Sequence, residues 1–397
     1  MAPGLEEIEI RSFDKQRDDA ARVEALEKKC EVGPRDLVID TMGDPMCRVR
    51  NSPQSKMLVA ELGEELVGVV RGSIKMVTLK SSSCGMAKVG FVLGLRVSPL
   101  HRRRGIGLRM VQSLEDWFRI NSVDYAYMAT EKDNRASLRL FMDKLGYVMF
   151  RTPAVLVNPV TRRPARISGK VEIRKIEAEQ AECLYRRFMG SVDLFPHDID
   201  AVLKNKLSLG TWVCYPKGEY SWKEEDAGGG DEPLLIPSSS WAMLSVWNCG
   251  DVFKIKVGRG RASSNIAFKI LSFIDRALPC LRLPSVPDFS GSFGVYFVYG
   301  VHGEGPQAGL LAKSLCQFAH NMAADESGDC KAVVVATGGG DPMKRCIPHW
   351  KMLSCPEDMW CIKPLINHDD MKKTQSEGAA AAAAEKGAAL FVDPREV

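Results

Sequence analysis

The same short pattern opens two long stretches of this chain, Ile8-Glu9-Ile10-Arg11 and Val171-Glu172-Ile173-Arg174. Each alternates apolar and polar residues, as a half-buried strand does. Each runs into a helix-like segment, 14–29 in the first case and 177–189 in the second. Behind these openings the order of elements repeats as well. The first stretch reads as strands over 57–61 and 65–75 around Gly63, a strand over 87–97, a helix over 105–120, a strand over 124–130, a helix over 136–145 and one or two strands within 147–157. The second reads as strands over 211–215, 241–247, 252–257 and 294–299, a helix over 310–322, a strand over 331–337, a helix over 342–353 and a strand over 358–365. We read a tandem duplication of one mixed α/β fold, each copy built around one sheet, with element order rather than residue identity carrying the inference.

The expected organisation is a first domain over 1–160, a linker over 161–170 that carries Arg162, Arg163, Pro164 and Gly169, and a second domain over 171–370. Gly228-Gly229-Gly230 and Ser238-Ser239-Ser240 mark 216–240 as a mobile insertion, and Ala379–Ala384 between charged residues marks 371–397 as a disordered tail. With 397 residues, 45% of them hydrophobic and 26% charged, the chain has the composition of ordinary globular domains. A formal charge of +4 gives no global case for nucleic acid as the primary ligand. The longest apolar runs, near 91–97 and 295–301, are too short to span a membrane. Residues 1–19 are acidic and show no secretory signal, so an intracellular, non-secreted protein is expected. The twelve cysteines include no C-x-x-C pair and no two of the six histidines are i,i+4, so no metal site is expected.

One segment carries chemistry. Val97-Ser98-Pro99-Leu100-His101-Arg102-Arg103-Arg104-Gly105-Ile106-Gly107 joins a strand to an amphipathic helix. It aims unpaired backbone N–H groups and the positive end of the helix dipole at one point. Gly105 and Gly107 allow close approach, and three arginines add positive charge. The product is a pyrophosphate cradle without the Lys-Ser/Thr of a nucleoside-triphosphate loop or the G-x-G-x-x-G of a dinucleotide fold. A solvated basic turn or a nucleic-acid contact is the plainer reading of Arg102–Arg104. Glycine spacing and the helix that follows are not explained by it.

R-x-x-G-x-G after a strand ending in V-x-P resembles the coenzyme A signature of the GNAT-type N-acetyltransferase superfamily. Asn134-Arg135-Ala136-Ser137, Leu140-Phe141 and Lys144-Leu145-Gly146-Tyr147 resemble that superfamily's second signature, and the two together cover residues 8–157. Met128-Ala129-Thr130-Glu131, Phe150-Arg151-Thr152-Pro153, Leu156-Val157-Asn158-Pro159 and Trp247-Asn248-Cys249-Gly250-Asp251-Val252-Phe253 are similar to plant hookless-type probable N-acetyltransferases. The resemblance implies tandem GNAT-like folds and a pair of strands that splay apart around acetyl-CoA as cosubstrate. It implies a pantetheine arm on Leu95, Arg96 and Val97, and a pyrophosphate on the N–H groups of Arg102, Arg103, Arg104, Gly105, Ile106 and Gly107. Asn134 reads as a helix cap that also touches the pantetheine. It further implies an amine acceptor, such as a protein lysine, an N-terminus, a histone tail or a small amine, and a nuclear plant protein acting in growth and hormone response.

Acetyl transfer needs the amine deprotonated and the thiolate protonated. The superfamily's acid tyrosine would fall at Phe141 or Met142, and neither has a proton to give. Tyr147 is the substitute we assign, with Tyr125 and Tyr127 as alternatives. The strand over 90–97 offers no carboxylate, so Glu131, at the end of the next strand, is the assigned base, with Asp133 or a bound water behind it. The corresponding loop of the second copy, 301–309, keeps glycines but has Glu304, Pro306 and no Lys or Arg, so that copy is expected to be degenerate. His302 and His349 read as turn or core residues. Two other readings stay open: a regulatory protein that keeps the fold and binds acetyl-CoA and protein partners without turnover, and nucleic-acid contact through Arg102–Arg104 and Arg162–Arg163.

Overall fold

The computed structural model describes the chain except for residues 1–6, 31–36, 83, 162, 219–221, 226–233, 238, 258–288, 290, 326–328, 356 and 366–388. In chain order its elements are β1 (Ile8–Ser12), α1 (Asp19–Lys29), β2 (Leu37–Asp40), β3 (Gln54–Leu62), β4 (Glu65–Thr78), β5 (Met86–Val97), α2 (Ile106–Ile120), β6 (Tyr125–Glu131), α3 (Arg135–Leu138), β7 (Val148–Arg151) and β8 (Ala154–Pro159). They continue as β9 (Val171–Ile176), α4 (Ala178–Met189), α5 (Ile199–Leu203), β10 (Ser208–Pro216), β11 (Trp222–Glu225), β12 (Leu234–Pro237), β13 (Trp241–Asn248), β14 (Lys254–Val257), β15 (Gly294–Glu304), α6 (Ala308–Asp325), β16 (Cys330–Thr337) and β17 (Asp358–Pro364). The chain divides into two compact units. The first comprises Met1–Thr152, Glu357–Lys386 and Glu396, and the second Pro153–Pro356, Gly387–Arg395 and Val397.

The first unit is built on a seven-stranded sheet ordered β1-β3-β4-β5-β6-β17-β7. Its one parallel pair is β5–β6, and the other neighbours run antiparallel. Helix α2 covers one face with Ile106, Met110, Val111, Leu114 and Phe118. Burial of each such side chain contributes roughly 1.5–3 kcal/mol. The helix lies close because the strands beneath it carry glycines. A Cβ on Gly72 would stand 2.8 Å from Leu114, and one on Gly90 2.8 Å from the Phe118 ring. The opposite face takes α1, whose Val23 and Leu26 meet Met57, Val59 and Val69. That face also carries a buried polar row along β4, Arg71, Ser73 and Lys75.

The second unit repeats the plan in a six-stranded sheet ordered β8-β16-β15-β13-β10-β9, again with one parallel pair, β15–β16. Helix α6 covers it through Leu311, Ala312, Leu315 and Ala319. The two opening patterns become edge strands in matching positions, β1 beside β3 and β9 beside β10. Beyond the parallel pair, each sheet is completed by a strand from the other half of the sequence. β17 pairs antiparallel with β6, and β8 pairs antiparallel with β16.

This exchange corrects the expected boundary at 160. Residues 154–159 belong to the second sheet and 358–364 to the first. Strand pairing is decided by which edge is open, and alternation in a short segment does not encode that. The helix expected over 342–353 is a 3-10 turn, Pro342–Cys346, because Gly338-Gly339-Gly340 precedes it and Pro348 interrupts it. Within 216–240 the backbones of β11 and β12 pair as a two-stranded ribbon, and much of the expected insertion lies outside the described residues. Most of the expected disordered tail also lies outside them. Its last part is a correction: Leu390, Phe391 and Val392 are buried, and the Phe391 N–H donates to Asp193 O at 3.0 Å. Apolar side chains and the Arg395 ion pairs to Asp393 and Asp198 hold this segment.

Candidate active site

In the first unit β5 and β6 pair from Val89↔Tyr125 to Val92↔Met128 and then part. β5 continues to Val97 along β4, with Leu93 opposite Arg71 and Arg96 opposite Val69. β6 continues to Glu131 along β17, with Ala129 opposite Trp360 and Glu131 opposite Asp358. Each strand is held on its outer side while the inner edges diverge, which leaves a wedge lined by backbone polar groups that want partners. A bulge sets the divergence. Gly94 has φ +62°, and a side chain there would meet the buried Arg71 guanidinium at 2.7 Å. Leu95, Arg96 and Val97 therefore lie on the open stretch of β5. Arg96 Nη1 folds back onto Leu95 O at 2.9 Å.

The loop after β5 makes a 3-10 turn at Pro99–His101, and Arg102, Arg103 and Arg104 are exposed on it. Arg103 (φ 65°) and Gly105 (φ 80°) are both left-handed, so the chain reverses sharply into α2. Consecutive N–H groups in such a bend face one side and favour an anion. Arg109 N–H donates to Gly105 O at 3.1 Å, and the N–H groups before it have no carbonyl of the helix to reach. A Cβ on Gly105 would meet nothing within 4 Å, and one on Gly107 nothing nearer than Leu140 at 3.6 Å. The cradle is open above the loop. A chain from Glu65 through His101 to Arg104 (3.1 and 3.0 Å) braces it, and Arg102 Nε reaches Val97 O at 3.3 Å.

The second unit has the same frame and a different outcome. Its parallel pair also ends early, at Val298↔Val335, and Gly300 repeats the φ of +62°. His302 stands two residues past Gly300, as Arg96 does past Gly94. The turn into α6 is filled, however. A Cβ on Gly305 would stand 2.2 Å from Ser239 O, and Ser240 Oγ accepts from Gln307 N–H at 3.3 Å. The protein thus occupies the helix end that in the first unit stays open. Burial lowers the His302 pKa, and its ring stacks on Phe188, 5.4 Å between centroids. His349 Nδ1 lies 2.9 Å from Ile347 O.

The structure does not bring the assigned catalytic pair together. Tyr147 sits in the core beneath α2, edge-on to Phe141 at 5.1 Å. Burial and the nearby Glu115 carboxylate push its pKa well above that of an ordinary tyrosine. Met142 lies partly buried against the same core. Glu131 is half-buried at the far end of β6, opposite Asp358. Asp358, which the sequence did not single out, has its pKa raised to about 6 by burial, with the Glu131 charge adding to it, and accepts from Trp360 Nε1 at 3.3 Å. Asn134 caps α3 by accepting from Ser137 N–H at 3.2 Å.

Tyr127 is different. It lies at the root of the wedge, opposite Phe91 and stacked on it at 4.8 Å, and its hydroxyl donates to Glu396 Oε1. Lys75 Nζ reaches the same oxygen at 2.7 Å. Glu396 and Asp358 escaped sequence reading because nothing near them resembles a motif, and Glu396 stands 269 positions from its partner. Among the described residues no cluster of His, Cys, Asp and Glu could hold a metal.

Comparison with known proteins agrees with this geometry. The Acetyltransferase (GNAT) family profile matches residues 22–147. The chain is 45% identical to the "Probable N-acetyltransferase HLS1" of Arabidopsis thaliana over 98% of its own length and 99% of that protein. It is 43% identical to the "Probable N-acetyltransferase HLS1-like" of the same plant with the same coverage. It is 33% identical to the "Acetyl transferase GW6a" of Oryza sativa subsp. japonica, over 98% of this chain and 97% of that one. Among solved structures, Saccharomyces cerevisiae N-myristoyltransferase with bound myristoyl-CoA superposes with TM-score 0.53 at 10% identity, over 91% of this chain and 79% of that one. A glucosamine N-acetyltransferase region of a fungal multi-domain protein gives 0.55 at 13% identity, over 91% and 38%. At such identities the structural likeness speaks for the fold alone.

Proposed function

We propose, from the premise that this chain belongs to the GNAT acetyltransferase family and is an N-acetyltransferase, that it carries acetyl from acetyl-CoA to an amine in the wedge of its first unit. The observation that supports the coenzyme most directly is the open turn at Gly105 beside the parted ends of β5 and β6. The N–H groups at the head of α2 would hold the pyrophosphate, each charge-assisted bond contributing roughly 1.5–3 kcal/mol. Leu95–Val97 would hold the pantetheine amides, which completes the backbone pairing that β6 leaves unmade. Positioning alone supplies a large part of such a rate. The second unit, with its turn filled by Ser239 and Ser240, serves as a non-binding copy.

The finer reading rests on the resemblance to the hookless-type family alone. The acceptor is an amine of a protein, a lysine or an N-terminus, with a histone tail as one case, or a small amine. The setting is the nucleus of a plant cell, in growth and hormone response. Calorimetric titration with acetyl-CoA tests the core of the proposal, and folded protein that shows no heat at millimolar ligand would sink it. Arg102→Glu with Arg104→Glu should weaken binding at least tenfold and shift the melting temperature by no more than about 2–4 °C, since both side chains are exposed and such surface contacts contribute little. A regulatory, non-transferring role is favoured by one observation, the buried Phe141 where an acid is expected. Binding without any release of coenzyme A across peptides, histone tails and polyamines would support it.

A further inference from the structure

We infer that Tyr127 and Glu396 form the proton-handling pair of the transfer site, Glu396 taking a proton from the acceptor nitrogen and Tyr127 giving one to the departing sulfur. This rests on the reading that acetyl-CoA occupies the first wedge.

Position is the first argument. Along β6, Ala126 and Met128 point into the core beneath α2, so Tyr127 between them points to the opposite face. Phe91, between Gly90 and Val92, points the same way and stacks on it. The Phe91↔Tyr127 pair is the next to last before β5 and β6 part. A thioester drawn in between the strands therefore ends beside the Tyr127 ring, whereas Tyr147 is shut in the core on the other face.

Cost is the second argument. Lys75 and Glu396 are each only 4% exposed in their side chains. Burying two opposite charges is costly before their attraction is counted, and apolar residues of similar size would serve packing as well or better. Lys75 ends the polar row of β4 on this same face. The row buries charge and hydrogen-bonding groups on the face opposite the one where α2 packs its apolar side chains. The charges fix one hydroxyl at the point where the strands separate.

The step balances. An acceptor ammonium loses two protons on becoming an amide. One leaves to water before attack. As the C–N bond forms and the C–S bond breaks, the other passes to Glu396. The Tyr127 O–H proton goes to the sulfur, which leaves as the thiol. The phenolate then recovers the proton from Glu396 along the hydrogen bond already present, and the carboxylate returns to its ion pair with Lys75.

The test uses the full chain, with Tyr127→Phe, Glu396→Gln and Glu396→Asp. Acetyl-CoA affinity is read by calorimetry, folding by thermal melting, and coenzyme A release by thiol titration with lysine-containing peptides and spermidine between pH 6 and 9.5. Affinity should stay within threefold for all three. Release should fall on the order of 10²–10⁴-fold in Tyr127→Phe. In Glu396→Gln it should climb with pH without levelling, as hydroxide replaces the lost base, and Glu396→Asp should recover part of the rate with a plateau. Wild-type release matched within threefold by Tyr127→Phe overturns the pair. So does a wild type that binds acetyl-CoA and releases none, or a Glu396→Gln profile parallel to wild type. A wild type that fails to bind acetyl-CoA overturns the underlying reading and the pair with it.

Discussion

Gly105 holds φ at +80° in open space, and that combination separates two roles a glycine can have. The backbone demands it, since a Cβ in the left-handed region costs roughly 1–2 kcal/mol. The neighbours do not. Gly105→Val should therefore lower stability by about that amount while raising the acetyl-CoA dissociation constant at least tenfold, checked by melting and calorimetry on one sample. Asp358 gives a second prediction at this scale. Its folded pKa is raised from 3.8 to about 6, so the folded state holds the proton more tightly than the unfolded one. Its ionisation then costs stability as pH rises from about 4 to 6 and leaves a constant deficit above. Asp358→Asn should stabilise the protein by roughly 1–2 kcal/mol at pH 8, allowing for partial exposure, and by nothing below pH 4, as urea unfolding at both pH values will report. The turn at Gly105 and the helix cap at Asn134 were legible in the sequence because both are local. Tyr127 was legible only as one tyrosine among several, since its partner Glu396 lies outside any local pattern.

At the scale of elements, the glycines under α2 decide how closely helix and sheet approach. A side chain on Gly90 would stand 2.8 Å from three atoms of the Phe118 ring, and Phe118 is wholly buried. Gly90→Val should destabilise by roughly 1–3 kcal/mol through overpacking, seen as a lower urea midpoint, with Gly169→Ala, exposed and with open space around it, as a control for backbone effects. The helix itself was readable because its apolar residues recur at helical spacing over fifteen positions. The turn at Pro342–Cys346 was misread as a helix because apolar residues are present there without the period, between glycines and Pro348. The wedge was expected only through family resemblance. Alternation shows that 87–97 is a strand, but it does not say where that strand leaves its neighbour. The signal was Gly94, a glycine inside a strand pattern, and Gly300 repeats it in the second copy.

For the whole molecule, duplication was legible in element order, and the exchange of strands was not. Residues 1–160 on their own would carry β8 without its sheet and leave the β6 edge bare where β17 belongs. That fragment should be insoluble or open to strand addition, and a fragment in which 357–365 is joined behind 1–152 should be soluble; size-exclusion chromatography distinguishes the two.

The place of β7 has a consequence for synthesis. Its one neighbour in the sheet is β17, far downstream. A ribosome adding roughly 5–20 residues per second exposes β7 tens of seconds before that neighbour emerges. Over that interval the nascent first half has an unfilled slot, and a stop codon anywhere between β9 and the end of β16 leaves both sheets unfinished.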